Sequence, residues 1–174
     1  MSQRILVIRP SRQADQFIAL LEQSGAQVSH TPVMSIEPIV DGQSIKDLIL
    51  EVDNFHKAIC VSGNAAQLTL EWLDCYWPMM PEGIDFFAVG QQTAQILADG
   101  DISALSPSGR QNSEALLALP ELQDLRDQRV IIFRGCGGRE ILGDTLIERG
   151  ARVDYCELYK RVINPEQVLL ARQQ

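Results

Sequence analysis

The sequence is short of positive charge and of long hydrophobic runs. Its 15 Lys and Arg residues stand against 23 Asp and Glu residues, which gives a net charge of −8. A chain without a basic stripe is poorly suited to replace the counterions of a nucleic acid, so nucleic-acid binding is not expected. No apolar run approaches the roughly 20 residues that a transmembrane helix needs. No secretory signal is visible before the first strand-like run, so we expect a cytoplasmic protein that does not associate with membranes.

The cysteine and histidine residues show no pattern typical of a metal site or a nucleophilic site. The four cysteines lack metal-ligand spacing, and Cys60 and Cys136 lie at or beside apolar runs. This placement favours buried free thiols in a reducing cytoplasm. His30 and His56 lie apart and have no partner acid in the sequence pattern. We therefore interpret both histidines as surface residues or as satisfied structural residues.

One stretch of the chain occurs twice, 125 positions apart. Residues 4–28 and 129–153 each contain a short apolar run, an amphipathic segment that ends at glycine, and a second apolar run. Arg4–Arg9 matches Arg129–Arg134, and the two copies end on similar Gly-Ala segments. A repeat of this size predicts two similar α/β lobes. The cleft between paired lobes is a usual place for a ligand.

Apolar and amphipathic segments alternate along the rest of the chain, which is typical of a parallel sheet flanked by helices. We expect about five parallel strands between Ser35 and Tyr159. Ser113 is expected to cap a helix, and Pro165 to begin a final one. The other predicted elements are strands at 58–61, 86–89, 102–105, 130–133 and 153–158, and helices at 13–24, 45–52, 64–73, 91–98 and 140–149.

The first strand–helix–strand is too small to bury a core unaided. The first lobe is therefore expected to be incomplete in this chain. Residues 1–34 are expected to be mobile, to pack against chain that is absent here, or to pair with a second molecule. The apolar face without a partner sheet consists of Leu6, Ile8, Phe17, Leu20 and Leu21.

Small polar and basic residues follow several predicted strands. Ligands collect at the carboxyl ends of parallel strands, where helix N-termini present free N–H groups. The pattern therefore indicates a surface for anionic oxygens, although the same residues are also ordinary helix caps, and Tyr159 is also an ordinary strand aromatic. The loop from Gly135 to Gly138 departs from both common nucleotide-binding patterns. The strand-end segments are Arg9–Ser11, Ser62–Ala65, Gly90–Thr93 and Arg134–Arg139.

An ordered set of motifs over nearly the whole chain resembles the uroporphyrinogen-III synthase family. No single motif is specific, but their order is. A departure is Val61-Ser62, where the family often has Thr-Ser. The set consists of Arg9-Pro10, Val61-Ser62-Gly63-Asn64-Ala65, Ala88-Val89-Gly90-x-x-Thr93-Ala94, Ser113-Glu114-Ala115-Leu116, Phe133-Arg134-Gly135-x-Gly137-Gly138-Arg139-Glu140-x-Leu142, Arg149-Gly150-Ala151 and Tyr159-x-Arg161.

The resemblance implies a fold and a domain organisation. The family has two α/β lobes with parallel sheets flanked by helices, and a two-stranded ladder joins the lobes. Residues 1–34 and 161–174 would form an incomplete first lobe, and residues 35–160 a complete second lobe. A protein of this plan is expected to be a monomer when full length.

The resemblance also implies an activity. Family members cyclise hydroxymethylbilane, a linear tetrapyrrole with eight carboxylates, to uroporphyrinogen III in haem biosynthesis, with inversion of ring D, loss of water and no metal or organic cofactor. By resemblance, Tyr159 is the catalytic residue, whose phenol would help the hydroxyl to depart, and Thr93 positions the substrate. The other implied substrate-binding residues are Arg9, Ser62, Asn64, Gly90, Ser113, Arg134 and Gly135.

Two other functions remain open at this point. A two-lobed module could bind a small anion without catalysis, and a nucleotide enzyme could use the glycine loop after Arg134.

Overall fold

The computed structural model describes residues 3–173, apart from the side chains of residues 12 and 13. The chain divides into two compact units. The first unit runs to Glu37 and resumes at Lys160, and the second runs from Pro38 to Tyr159. The expected α/β fold, a mostly parallel sheet flanked by helices, is confirmed.

The first unit begins with a strand–helix–strand, as the repeat predicts. Strand β1 (Arg4–Val7) pairs in parallel with β2 (Gln27–His30), and α1 (Ser11–Gln23) connects them. The helix ends two residues before Gly25, which has a φ of +85° that favours glycine. Helix α7 (Pro165–Gln173) begins at the expected proline.

Three of the five residues of the apolar face of this unit are exposed, and Leu6 and Leu21 are half-buried. Ile8, Phe17 and Leu20 are 48%, 43% and 64% exposed. Strand β1 and the matching strand of the second copy, β7 (Arg129–Gly135), lie in two different sheets. The N-terminal strands therefore form a sheet of their own and do not join the sheet that contains β7.

The second unit alternates strands and helices in the order that the sequence predicts. Besides β7, its elements are α2 (Gln43–Leu50), β4 (Lys57–Cys60), α3 (Gly63–Tyr76), β5 (Asp85–Ala88), α4 (Gln91–Asp99), β6 (Ala104–Leu105), α5 (Ser113–Leu117) and α6 (Ile141–Glu148). Strand β4 lies at the centre, where it pairs in parallel with β5 on one side and with β7 on the other. Two short 3-10 turns complete the connections.

Two strands continue from one unit into the other. They are β3 (Met34–Pro38) and β8 (Arg152–Ile163), which are neighbours in a six-stranded sheet of order β3-β8-β7-β4-β5-β6. Backbone hydrogen bonds join Ile39 N–H to the Leu158 oxygen and Asn164 N–H to the Val33 oxygen. Because positions rise on one strand and fall on the other, the pair is antiparallel. The five other strands are parallel, as expected, and β3 is the sixth.

The core of the second unit lies between the central strands and the helices. All four residues of β4 are buried, which is typical of a parallel strand covered on both faces. Fully burying one such aliphatic or aromatic side chain contributes about 1.5–3 kcal/mol. The largest wholly buried side chains include Tyr159, Phe87, Phe133, Ile59, Ile131 and Ile132.

Two sequence-based expectations about small residues need correction. Cys60 is buried, but Cys136 is only half-buried, and the second fully buried cysteine is Cys156 on β8. Helix α5 is capped by Asn112, whose Oδ1 accepts a hydrogen bond from Ala115 N–H at 2.9 Å. Ser113 is instead the first helical residue. Asparagine and serine are comparable N-caps, so the residue types at positions 112 and 113 do not decide which of the two caps the helix.

Candidate functional site

The candidate site lies at the carboxyl ends of the central strands of the second unit. Strands β4 and β5 are in register, with Cys60 opposite Ala88, so the segments that follow them begin side by side. Ser62 follows β4 and caps α3, and Gly90 follows β5 and precedes α4. Strands β7 and β8 contribute Gly135 and Tyr159, which are paired with each other. Three of the four predicted strand-end segments therefore follow neighbouring strands of one sheet, whereas the fourth, Arg9–Ser11, follows β1 in the other sheet.

A β-bulge sets the position of Tyr159. Arg134 pairs with Glu157, but the next residue, Gly135, pairs with Tyr159, so β8 has one extra residue at Leu158. Bulges bend a strand and re-aim its side chains, and they are frequent beside active sites. The backbone is fixed beyond the bulge, since Cys136 N–H donates to the Tyr159 oxygen at 2.8 Å.

The hydroxyl groups of Tyr159 and Ser62 form a hydrogen-bonded pair. Their oxygens lie 3.1 Å apart. Ser62 Oγ also accepts a hydrogen bond from Ala65 N–H at 3.1 Å, so this serine caps α3 and holds the phenol at the same time. Tyr159 is 0% exposed, whereas Ser62 is half-buried. The structure thus brings together the predicted catalytic residue and one predicted binding residue.

Gly135 provides the space for the Tyr159 ring. A Cβ at this position would lie 2.5 Å from Cε2 and 2.6 Å from Cζ of the ring. Carbon atoms pack at about 3.5–4.0 Å, so no larger residue fits without displacing the tyrosine. Gly135 itself is buried. Its observed role is therefore to accommodate Tyr159, a contact that the motif alone does not reveal.

Arg134 is buried and holds the glycine loop that follows β7. Its Nη2 donates to the Gly138 oxygen at 2.9 Å, and its Nε lies 3.5 Å from Oε1 of Glu157. The guanidinium also lies 4.6 Å from the centroid of the Tyr155 ring. Burial raises the pKa of Tyr155, and the Arg134 charge opposes that increase. The Arg134 guanidinium thus connects the glycine loop, through Gly138, with Tyr155 and Glu157 of β8.

The α4 region contributes Gly90 and Thr93. Both are buried, and Thr93 lies in the first turn of α4. A Cβ at Gly90 would lie 2.5 Å from Oε1 of Gln111, so this glycine accommodates the polar loop that precedes α5. Asn64 is half-buried in the first turn of α3. These first-turn positions fit both helix capping and anion contact.

Arg9 belongs to the first unit and is exposed. Its backbone oxygen lies 2.9 Å from Nε2 of His30, which explains that histidine as a local structural residue. His56 has a similar role in the second unit, where its Nδ1 accepts a hydrogen bond from Arg129 N–H at 3.1 Å. Both histidines are therefore explained by backbone contacts.

Three residues near the site were missed in the sequence. Tyr155 and Glu157 contact the Arg134 guanidinium, and Gln111 fills the space beside Gly90. Alternation along β8 could have suggested Glu157, since it faces its neighbour Arg134 across a parallel pair. Nothing in the sequence pattern points to Gln111, which lies in an irregular loop.

Within residues 3–173, no group of three or more His, Cys, Asp or Glu side chains is placed to hold a metal ion. No helix in the same part of the chain is long and apolar enough to cross a membrane.

A sequence model of the family described as uroporphyrinogen-III synthase HemD matches residues 15–174. The chain belongs to the uroporphyrinogen-III synthase family. Among similar proteins is the uroporphyrinogen-III synthase of Escherichia coli K12, 38% identical over 163 residues, which cover 90% of this chain and 64% of that protein. The enzyme of the same name from Proteus mirabilis is 32% identical over 91% of this chain and 80% of its own length. The chain thus spans less than two thirds of the E. coli relative.

Solved structures of this family share the fold. A mutant uroporphyrinogen III synthase from the bacterium Thermus thermophilus aligns with a TM-score of 0.70 at 20% identity, over 96% of this chain and 66% of that one. The uroporphyrinogen-III synthetase of Helicobacter pylori 26695 aligns with a TM-score of 0.56 at 12% identity, over 94% of this chain and 63% of that one. At identities of 20% and 12%, these comparisons show that the chains share a fold.

Proposed function

We propose that this protein is a uroporphyrinogen-III synthase, which cyclises hydroxymethylbilane with loss of water and inversion of ring D. The match to the family over residues 15–174 carries this proposal. The strand-end motifs after β4, β5 and β7 support it, because these three strands are neighbours in one sheet. The reaction is a lyase reaction in haem biosynthesis, and the proposed location is the cytoplasm.

Holding the substrate is the main task in the proposed mechanism. Hydroxymethylbilane is reactive, so an enzyme that fixes its ring D in the inverting orientation needs little strong acid–base chemistry. The eight carboxylates of the substrate would meet the N-termini of α3 and α4, where exposed amides carry roughly half a positive charge. Thr93 and Asn64 are the proposed hydroxyl and amide contacts, and Ser113 on α5 is a further proposed contact.

The net charge of −8 does not oppose this proposal. Local fields at a binding surface outweigh the mean charge, and an acidic exterior slows the encounter with an anion more than it weakens binding. Arg134, whose charge is partly balanced by Glu157 at 3.5 Å, would add positive charge beside the glycine loop, and Arg9 would add one in the first unit.

Tyr159 is the proposed source of the proton that leaves with the substrate hydroxyl. Its hydroxyl is hydrogen-bonded to Ser62 at 3.1 Å, and its ring packs directly against Gly135. These contacts fix the phenol in place, which supports its proposed role as a positioned proton donor. A general acid of this kind contributes about 100-fold to 10,000-fold to a rate.

The domain organisation follows from the same proposal. The first unit corresponds to part of lobe one, the second unit to lobe two, and strands β3 and β8 to the family's ladder. We infer a monomer for the complete gene product.

The test is to incubate the complete gene product with hydroxymethylbilane and identify the products by chromatography. Formation of uroporphyrinogen III, the isomer with ring D inverted (isomer III), supports the proposal. Formation of only the uninverted isomer I, to which hydroxymethylbilane closes without an enzyme, would reject it. Melting curves with uroporphyrinogen III or ATP separate the two alternatives, because a ligand that binds only the folded state raises the melting temperature. A shift with uroporphyrinogen III but no isomer III would indicate a binding module, and a shift with ATP alone a nucleotide enzyme.

A further inference from the structure

We propose that Ser62, not Tyr159, is the hydroxyl that meets the substrate, and that Tyr159 supplies its proton through Ser62. This inference rests on the proposed function. It begins from the unequal burial of the pair, since the phenol is 0% exposed while the serine beside it is half-buried at the end of β4. With their oxygens 3.1 Å apart, a proton can pass between the two hydroxyl groups.

The hydrogen-bonding capacity of Ser62 gives the relay its direction. A serine hydroxyl has one donor and two acceptor positions. One acceptor position receives Ala65 N–H at 3.1 Å. Either oxygen could donate in the pair with Tyr159. The relay assigns the donor role to the phenol, which is the more acidic hydroxyl. With both acceptor positions filled in this way, the hydrogen of Ser62 is available for a group of the substrate.

The proton transfers balance over the reaction. Ser62 donates its proton to the departing hydroxyl of the bilane, the carbon–oxygen bond breaks, and water leaves with the bonding electrons. The Tyr159 proton moves to the serine oxygen, which leaves a phenolate. When the new carbon–carbon bond has formed, the proton that the cyclised substrate loses returns through Ser62 to Tyr159. The products are one macrocycle and one water, and the pair regains its starting state.

A double-mutant cycle tests whether the two hydroxyls act in series. The variants are Ser62→Ala, Tyr159→Phe and both together, each assayed for kcat and KM of isomer III formation by the complete gene product. Groups in one relay are not additive. We expect Ser62→Ala to lower kcat about 100-fold, at the lower end of the range for general acid catalysis, and Tyr159→Phe only about ten-fold, because the serine hydroxyl that meets the substrate remains. The double variant should equal Ser62→Ala, and KM should change less than about three-fold throughout, because the relay acts in the transition state and not in substrate binding.

Substitutions at Ser62 separate its proton from its capping role. Asparagine caps helices as well as serine does but has no transferable hydroxyl proton, whereas threonine keeps both properties. We therefore expect Ser62→Asn to melt near the wild-type temperature with kcat as low as that of Ser62→Ala. Ser62→Thr should retain kcat within a few-fold. If the alanine variant does not fold, the asparagine and threonine variants still decide the matter.

Three results would overturn the inference. Wild-type kcat in Ser62→Asn would show that the serine proton is not needed. Multiplying effects in the double variant, or a much larger effect of Tyr159→Phe than of Ser62→Ala, would show that the phenol acts directly. In each of these cases the wild type still makes isomer III, so the proposed function stands. A wild type that yields isomer I alone would reject the proposed function and this relay together.

Discussion

Replacing Gly135 by alanine should displace Tyr159. The added Cβ would lie 2.5 Å from Cε2, 2.6 Å from Cζ and 3.0 Å from Cδ2 of the ring. The backbone cannot easily retreat, because Gly135 is paired with Tyr159 across the sheet and Cys136 N–H is bonded to the Tyr159 oxygen. The ring must therefore move by about 1 Å to regain an ordinary carbon–carbon contact. Such a movement can break the 3.1 Å hydrogen bond to Ser62.

The expected cost has a stability part and an activity part. Overpacking of a buried site destabilises by about 1–3 kcal/mol. In a chain of this size each kcal/mol lowers the melting temperature by about 2–4 °C, so Gly135→Ala should melt roughly 2–12 °C below the wild type. A misplacement of about 1 Å in a catalytic group can lower a rate about 100-fold. The loss cannot exceed that of removing the phenol hydroxyl, so we expect isomer III formation to fall about as far as in Tyr159→Phe, by about ten-fold or more, at temperatures where the variant is folded.

A second substitution shows whether the ring is the cause. In a Tyr159→Phe background the ring remains, so Gly135→Ala should cost the same stability. In a Tyr159→Leu background the ring is absent, and the additional cost should largely disappear. Thermal unfolding of the single and double variants measures this directly. An alanine at 135 that leaves both the melting temperature and the rate unchanged would refute the proposed contact.

The other described contacts support further predictions. Tyr159→Phe should lower isomer III formation about ten-fold or more without changing the fold; a normal rate would make the tyrosine a packing residue. Burial raises the pKa of Cys60 and Cys156 from 9.0 to about 12, so both thiols should stay protonated and react slowly with a thiol reagent at about pH 8, whereas the exposed Cys75 should react. Mass spectrometry measures the labelling of each cysteine, and fast labelling of all three would contradict this prediction. The thiols of Cys60 and Cys156 ionise near pH 9 in the unfolded chain but stay protonated in the folded chain. The free energy of unfolding should therefore fall above about pH 9, by roughly 1.4 kcal/mol per pH unit for each thiol. The fall should be less steep in Cys60→Ala, which has lost one of the two thiols. Arg134→Lys should raise proteolytic cleavage in the loop at 135–138, because one ammonium cannot keep the contacts to Gly138, Glu157 and the Tyr155 ring together; an unchanged cleavage pattern would argue against the clamp.

Much of the fold was predictable because most of its elements have local sequence signals. The alternation of buried strands with amphipathic helices predicted the parallel sheet, and Gly25 and Pro165 marked a helix end and a helix start correctly. Strand β8 extends five residues beyond the predicted end at Leu158, because pairing with β3 continues it. Such pairing depends on a distant strand and has no local signal. The cap of α5 was wrong for the opposite reason, since two equally good caps stand next to each other at Asn112 and Ser113.

The candidate site was predictable as a set of residues and less so as an arrangement. Strand-end position identified Ser62 and Gly90 as neighbours. The contact between Ser62 and Tyr159, 97 positions apart, depends on strand order and on the bulge at Gly135. The bulge has no sequence signature beyond the glycine. Whether Tyr159 and the proposed binding residues contact substrate stays a prediction.

The isomer composition of the product tests the central claim most directly. Hydroxymethylbilane closes without help to the uninverted isomer I, so a faster reaction alone does not identify the enzyme. The complete gene product should be added at increasing concentration to freshly prepared substrate, and the two isomers should be separated by chromatography at each concentration. We predict that the fraction of isomer III rises with protein and falls towards that of the uncatalysed reaction in Tyr159→Phe. A product that remains isomer I at every concentration of the wild-type protein would contradict the account.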